Sequence, residues 1–223
     1  MRIIFIILLI LGIKSYNINK IIYHARLCRS TYLNKDINHI IIKNNKTIDI
    51  SFSGTKNMND IILNFNVIPK SFLKKEMKVH KGFLYKYLLI RDLIVNKTHE
   101  ILMNNNIEDI YISGHSSGGA IANIASLDLY YLYPNIRINT ITFGSPKLAN
   151  KAFIEEYNKN IINSIRIVNK NDIIQYLPLP IIYHHIHKPF ILNDNNKKKD
   201  ILNNHNINSY IRNLIIFNIG KTD

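Results

Sequence analysis

Apolar and polar positions along the chain fall into short runs of two periods, one near 3.6 residues and one of two. Asn19 to Tyr32 carries Ile22, Ala25, Arg26 and Arg29 at helical spacing and predicts a helix. Ile40-Ile41-Ile42 and Thr47 to Phe52 predict a strand hairpin that turns through Lys43-Asn44-Asn45-Lys46. A short helix is expected over Asp60 to Asn66. Gly82 to about Asn104 reads as a long amphipathic helix offering Leu84, Leu88, Leu93, Ile94 and Ile101 to a core. The alternating stretch that opens at Asp109 predicts a buried strand, Ala120 to Tyr131 a helix that stops before Pro134, and Ile136 to Phe143 another strand. A surface helix over Asn150 to Asn160, a strand over Ser164 to Val168 and a late strand over Ile181 to Leu192 follow. Asn193 to Asp200 reads as a loop and Ile207 to Ile219 as a closing helix. Strands that alternate with helices predict an α/β layered fold, and no internal repeat is evident.

The first residues do not belong to that pattern. Arg2 precedes an unbroken apolar run from Ile3 to Leu11, too short to span a bilayer and suited to a signal peptide. Residues 1–15 are therefore expected to be a leader cleaved near Ser15, with an uncleaved anchor as the alternative, and residues 16–223 a single domain. Asn45-Lys46-Thr47 and Asn96-Lys97-Thr98 are acceptor sequons consistent with export. Cys28 is the only cysteine, so no intramolecular disulfide can form. The formal charge of +14 raises the question of nucleic acid. The lysines are scattered, there is no Trp, and no groove-reading or base-stacking module is present, so no nucleic-acid partner is expected. A basic surface does lower the cost of approaching anionic lipid.

Chemistry concentrates where the predicted strand from Asp109 meets the predicted helix from Ala120. Gly114-His115-Ser116-Ser117-Gly118 satisfies G-x-S-x-G, which an unrelated chain of this composition matches roughly once or twice in a hundred. Flanked by strand and helix, it reads as a nucleophile elbow, a tight turn that holds the serine hydroxyl proud of the sheet beside a helix N-terminus. Any Cβ at Gly114 or Gly118 would clash in such a turn. A serine needs a base, and the base needs a carboxylate to hold its tautomer. In α/β-hydrolases the order along the chain is Ser, Asp or Glu, then His. Asp172, 56 positions after Ser116 and just past a predicted strand end, and His205, in a predicted loop before the last helix, meet that order. His184, His185 and His187 compete, since positions 185 and 187 would share a strand face as metal ligands do, but no Cys, Asp or Glu lies nearby to complete a set. His80 and His115 flank apolar segments and read as structural.

Several segments, in order, resemble the class 3 lipases, the fungal-type triacylglycerol lipase branch of the α/β-hydrolases. Ile50-Ser51-Phe52-Ser53-Gly54-Thr55 with Asp60 is similar to that family's oxyanion strand and loop. Val79-His80-Lys81-Gly82-Phe83 resembles the opening of its long helix, and Ile112 to Ala122 its elbow. Thr142-Phe143-Gly144-Ser145-Pro146-Lys147, with Asn150 and Phe153, resembles the following strand end. Arg166-Ile167-Val168-Asn169 through Asp172 to Leu177-Pro178 resembles its acid loop, Tyr183 and His185 its next strand, and His205 with Ile207 and Tyr210 its final histidine segment.

The resemblance implies a three-layer α/β-hydrolase sandwich, with a central, mostly parallel sheet and helices on both faces. It implies Ser116 as nucleophile, His205 as base and Asp172 as its orienting acid. Thr55, through its backbone N–H and hydroxyl, and the backbone N–H of Ser117 would form the oxyanion hole. The family typically has an apolar residue where Ser117 stands, a change that leaves the main-chain donor intact. Asp60 would hydrogen-bond the Thr55 loop or cap a helix, and Lys56 to Leu63 stands where the family has an amphipathic lid. The implied activity is a secreted serine hydrolase of lipid esters at an interface, with peripheral membrane or lipid-droplet contact and no metal or cofactor in the chemistry. Phospholipase A1, small-ester esterase and a non-catalytic lipid binder on the same scaffold are the alternatives.

Overall fold

Helix α1 (Ile18–Ser30) starts where the Asn17 side chain accepts from the free amide of Asn19 at 2.9 Å, capping the first turn. The computed structural model describes residues 17–33, 38–55, 68–178, 182–193 and 201–220. The expected leader, the Asp60–Asn66 helix, the lid stretch and most of the Asn193–Asp200 loop lie outside the described residues.

Strands β1 (His39–Lys43) and β2 (Thr47–Phe52) pair antiparallel across a turn closed by Asn44 N–H to Thr47 O at 2.9 Å. Strands β3 (Pro69–Phe72) and β4 (Lys74–His80) form a second hairpin that the sequence pattern does not predict. Its exposed positions are Pro, Lys, Ser and Glu, and only Met77 and Val79 are apolar and fully buried, so its alternation is weak. Helix α2 (Lys81–Asn104) follows, capped by His80, whose Nδ1 accepts from Gly82 N–H at 3.1 Å. Strand β5 (Asp109–His115), helix α3 (Ser117–Leu132), strand β6 (Arg137–Phe143), helix α4 (Lys151–Asn160) and strand β7 (Asn163–Asn169) continue the alternation. A 3-10 turn at Ile174–Tyr176, strand β8 (Pro189–Leu192), the short helix α5 (Ile201–His205) and helix α6 (Ile207–Ile219) complete the chain.

The main sheet runs β1-β2-β5-β6-β7-β8, with β1 antiparallel and every other neighbour parallel. The two-residue period sorts its side chains into two cores. Ile48, Ile50, Phe52, Ile110, Ile112 and Ile138 face α2, α3 and α4. Ile141, Phe143, Ile165, Ile167, Phe190 and Leu192 face α1 and α6. Three layers result.

Helix α3 lies close to the sheet because its first turns are Gly118, Gly119, Ala120, Ala122 and Ala125. Its far end is tied to α2 through Asp128, which accepts from Tyr87 Oη and Arg91 Nε, both at 2.6 Å. This fixes the helix that the elbow serine precedes.

Several local expectations are corrected. Leu84, Ile94 and Ile101 of α2 are buried, but Leu88 and Leu93 are 49% and 54% exposed. The buried stripe runs through Phe83, Tyr87, Ile94, Thr98 and Ile101, and at about 100° per residue Leu88 and Leu93 turn away from it. The late strand is only Pro189–Leu192. The chain before it leaves the sheet, because His184 bridges Ala149 and His187 takes φ of 27°. His205 ends a short helix rather than sitting in a loop.

Candidate active site

The site is built at the C-terminal ends of the parallel strands, where α/β sheets place their chemistry. Strand β5 delivers Ser116 into a strained conformation, φ 58° and ψ −132°, immediately before α3. Ser116 N–H donates to Phe143 O and its carbonyl accepts from Gly119 N–H, both at 2.9 Å, which pins the turn from both sides. A Cβ on Gly114 would lie 2.1 Å from Gly118 O, and one on Gly118 would lie 2.4 Å from Phe52 O. The elbow therefore closes only with glycine at both positions. Ser116 itself is only 1% exposed to solvent.

Asp172, fully buried, follows β7 in a turn closed by its own N–H to Asn169 O at 3.0 Å. Its Oδ1 accepts from Ile174 N–H at 2.9 Å, which orients the carboxylate at the start of the 3-10 turn. Its Oδ2 accepts from His205 Nδ1 at 2.7 Å and from the Tyr210 hydroxyl at 2.5 Å. Since a carboxylate oxygen accepts, Nδ1 is the nitrogen that bears the proton in the neutral imidazole, the tautomer that leaves the lone pair on Nε2. Burial, and then the Asp172 carboxylate, push Tyr210 well above the usual phenol range, so its hydroxyl remains a donor. Among the described residues neither Ser116 Oγ nor His205 Nε2 has a hydrogen-bond partner, although both atoms are buried.

His205 is also held by its backbone. Its carbonyl accepts from His115 Nε2 at 2.6 Å, and the two rings lie 4.7 Å apart. His115 Nδ1 is then the acceptor for the Tyr32 hydroxyl at 2.7 Å. Burial, with His205 beside it, holds the His115 imidazole well below the usual histidine range and keeps it neutral. Asn169 ties the acid loop to α5 and α6, donating from Nδ2 to Asn204 O at 2.9 Å and accepting at Oδ1 from Asn213 Nδ2 at 3.0 Å.

A cavity of about 330 Å³ is lined by Ser116, His205, Thr55, Tyr32, Leu33 and Arg29, among others. Thr55 reaches it from the loop after β2, with its Oγ1 2.9 Å from Ser117 Oγ and 3.1 Å from Lys86 Nζ. The structure thus brings Ser116, His205 and Thr55 to one cavity, with Asp172 behind His205 and Ser117 beside Thr55. Asp60 falls outside the described residues.

The competing histidines lie elsewhere. His185 Nε2 donates to Gln175 O at 2.5 Å and His187 Nε2 to Ile161 O at 3.0 Å, so their rings fasten the chain before β8 to the 3-10 turn and to the end of α4. Burial, then Arg166, lowers His185 to about 3. No group of three or more His, Cys, Asp or Glu that could hold a metal occurs among the described residues. The sequence reading missed the contacts of Lys86, the Tyr210 hydroxyl and the Ser117 side chain. Tyr210 had one signal, its place in the final histidine segment. Lys86 had none, being one lysine among many.

A parallel sheet flanked by helices, with a serine at a strand–helix elbow, an Asp–His pair behind it and a polar loop facing it, defines an α/β-hydrolase. Residues 49–181 match the sequence profile of the class 3 lipases, described as Lipase (class 3). The chain belongs to that family. A lipase of Rhizopus niveus is 31% identical over 157 residues, covering 66% of this chain and 39% of that protein. The chain thus spans about two fifths of the length of curated relatives such as the Rhizopus niveus and Rhizomucor miehei lipases. The crystallographic Rhizomucor miehei triacylglyceride lipase superposes with a TM-score of 0.71 at 25% identity, over 80% of this chain and 81% of that one. A further solved triacylglycerol lipase, described as having a serine protease triad as its catalytic centre, matches with a TM-score of 0.71 at 26% identity, over 81% of this chain and 82% of that one. No helix among the described residues is long and apolar enough to cross a membrane.

Proposed function

We propose that the protein is a serine ester hydrolase that cleaves carboxylic ester bonds of lipids, with Ser116 as nucleophile, His205 as general base and acid, and Asp172 as the residue that orients His205. The observation that carries this reading is the pair of buried atoms, Ser116 Oγ and His205 Nε2, that have no partner among the described residues and whose side chains open on one cavity while Asp172 holds the far side of the imidazole at 2.7 Å. Buried polar atoms without partners are rare in folded proteins and call for a reason. A reacting pair that closes around substrate supplies one.

In this mechanism Ser116 Oγ attacks the ester carbonyl as its proton passes to Nε2. The oxyanion that forms is stabilised by the backbone N–H groups of Thr55 and Ser117 and by the Thr55 hydroxyl. His205 then protonates the leaving alcohol. Water, deprotonated by the same imidazole, releases the fatty acid from Ser116. The serine-protease-type triad described for a related triacylglycerol lipase supports these assignments. The substrate is a lipid ester met at an interface, and the apolar leader together with the acceptor sequons supports export from the cell.

The test compares emulsified triglyceride, phosphatidylcholine vesicles and a soluble short-chain nitrophenyl ester, with wild type, Ser116→Ala and His205→Ala. A serine-directed phosphonate should label wild type at Ser116, and both variants should lose turnover by at least about 10³. A rate increase once triglyceride forms an emulsion is expected of a lipase. Turnover in His205→Ala combined with loss in His185→Ala would refute the base assignment, and an unlabelled Ser116 with no turnover on any ester would leave a lipid-binding protein.

A further inference from the structure

The Thr55 hydroxyl has two polar neighbours of unequal character, Lys86 Nζ at 3.1 Å and Ser117 Oγ at 2.9 Å. A hydroxyl offers one proton and two lone pairs, and an ammonium group can only donate. Lys86 therefore occupies one lone pair of Thr55 Oγ1. Ser117 can donate its own proton into the second. With both lone pairs engaged, the Thr55 proton is the one donor left over, and Thr55 lines the cavity that holds Ser116 and His205.

We propose that Lys86 and the Ser117 hydroxyl act together as positioning residues, turning the Thr55 O–H toward the oxyanion and strengthening it as a donor. This rests on the assignment of Ser116 as nucleophile and Thr55 as oxyanion residue. As the bond from Ser116 Oγ to the carbonyl carbon forms and the serine proton moves to His205 Nε2, the carbonyl π pair passes to oxygen. Thr55 donates a hydrogen bond to that oxygen and keeps its proton. The charge on Lys86, one hydroxyl away, acts more strongly on the tetrahedral oxyanion than on the neutral ester. It therefore lowers the barrier rather than tightening substrate binding. Lys86 is exposed, so salt screens the effect.

The experiment measures kcat and KM on a soluble short-chain nitrophenyl ester for Lys86→Met, Lys86→Arg, Ser117→Ala and Thr55→Val, singly and with Thr55→Val as background. Removing an entire oxyanion donor costs about 10²–10³, so Lys86→Met, acting through one, should lower kcat about tenfold at low salt with KM unchanged. The loss should shrink as salt is added, and Lys86→Arg should restore most of the rate. Ser117→Ala, which keeps the main-chain N–H, should lower kcat a few-fold. Neither substitution should cost anything further in the Thr55→Val background. Losses that add in full to Thr55→Val, that fall on KM, that ignore salt, or that appear only on anionic vesicles would overturn the proposal. Phosphonate labelling separates the two levels of failure. If Ser116 labels in wild type and Thr55→Val while the losses add, only the positioning role falls. If Ser116 does not label in wild type, the hydrolase assignment falls.

Discussion

Replacing Gly144 with alanine should disable the protein without unfolding it. Gly144 ends the turn after β6 with φ of +56°, a conformation that side chains resist. A methyl group there would lie 2.6 Å from Asp172 Oδ2, 2.8 Å from the Tyr210 hydroxyl and 3.1 Å from His205 Nδ1. A carbon needs about 3.5 Å of separation, so the carboxylate oxygen would have to retreat by roughly 0.9 Å. The 2.7 Å bond between His205 and Asp172 cannot absorb such a shift. Left-handed backbone on alanine costs about 1–2 kcal/mol. Disrupting a hydrogen bond to a charged group costs about 1.5–3 kcal/mol. Gly144→Ala is therefore expected to lose about 2.5–5 kcal/mol, a large share of the roughly 5–15 kcal/mol typical of a domain. A displacement of about 1 Å at a catalytic group costs on the order of 10² in rate. Urea unfolding gives the first quantity and kcat on a soluble nitrophenyl ester the second. A variant that loses stability yet keeps kcat within twofold of wild type would refute the reasoning, because the Asp172–His205 contact would then not limit turnover.

Tyr210→Phe removes a donor from Asp172 Oδ2 and leaves the Asn169 N–H, which reaches the Tyr210 hydroxyl at 3.2 Å, without that partner. It should lower stability by about 2–3 kcal/mol, with kcat reduced less than tenfold because His205 keeps its own contact; a loss as large as that of Asp172→Asn would contradict this. Acid should destabilise the fold through its buried histidines. Burial lowers His24 and His185 to about 3, so each stays neutral when folded but takes a proton near pH 6.5 when unfolded. Because the unfolded chain binds more protons, stability is held above pH 6.5 and lost as pH falls toward 3, by up to about 1.4 kcal/mol per pH unit for each histidine. Urea midpoints measured between pH 6.5 and 5, above the carboxylate range, should decline; constant midpoints would refute the burial account.

Local period was enough to locate β1, β2, β5, β6, β7 and the helices α1, α2, α3, α4 and α6 within a few residues. Each has a run of isoleucine or phenylalanine at one spacing, and such spacing is a property of neighbouring positions. The elbow was equally legible. Gly114 closes on Gly118 and Gly119 within the strand–turn–helix itself, whereas Gly118 closes on Phe52 and Ser53 at the end of the neighbouring strand, a contact that only the assembled sheet supplies. The hairpin β3–β4 was hidden because its polar face outnumbers its apolar one. The shortness of β8 was hidden because an apolar run does not reveal that His184 bridges Ala149 instead.

By itself, then, the sequence determined the layered alternation, the strained turn at Ser116 and the residue types available for chemistry. Tertiary structure alone decided which of them meet. Asp172 and His205 touch because β7 ends beside α5 and α6, 33 positions further on. Thr55 meets Lys86 and Ser117 across 31 and 62 positions, and no period in the chain records either contact. Hydrogen bonds that assemble a site form between sheet ends brought together by burial of two apolar faces, and burial is indifferent to order along the chain.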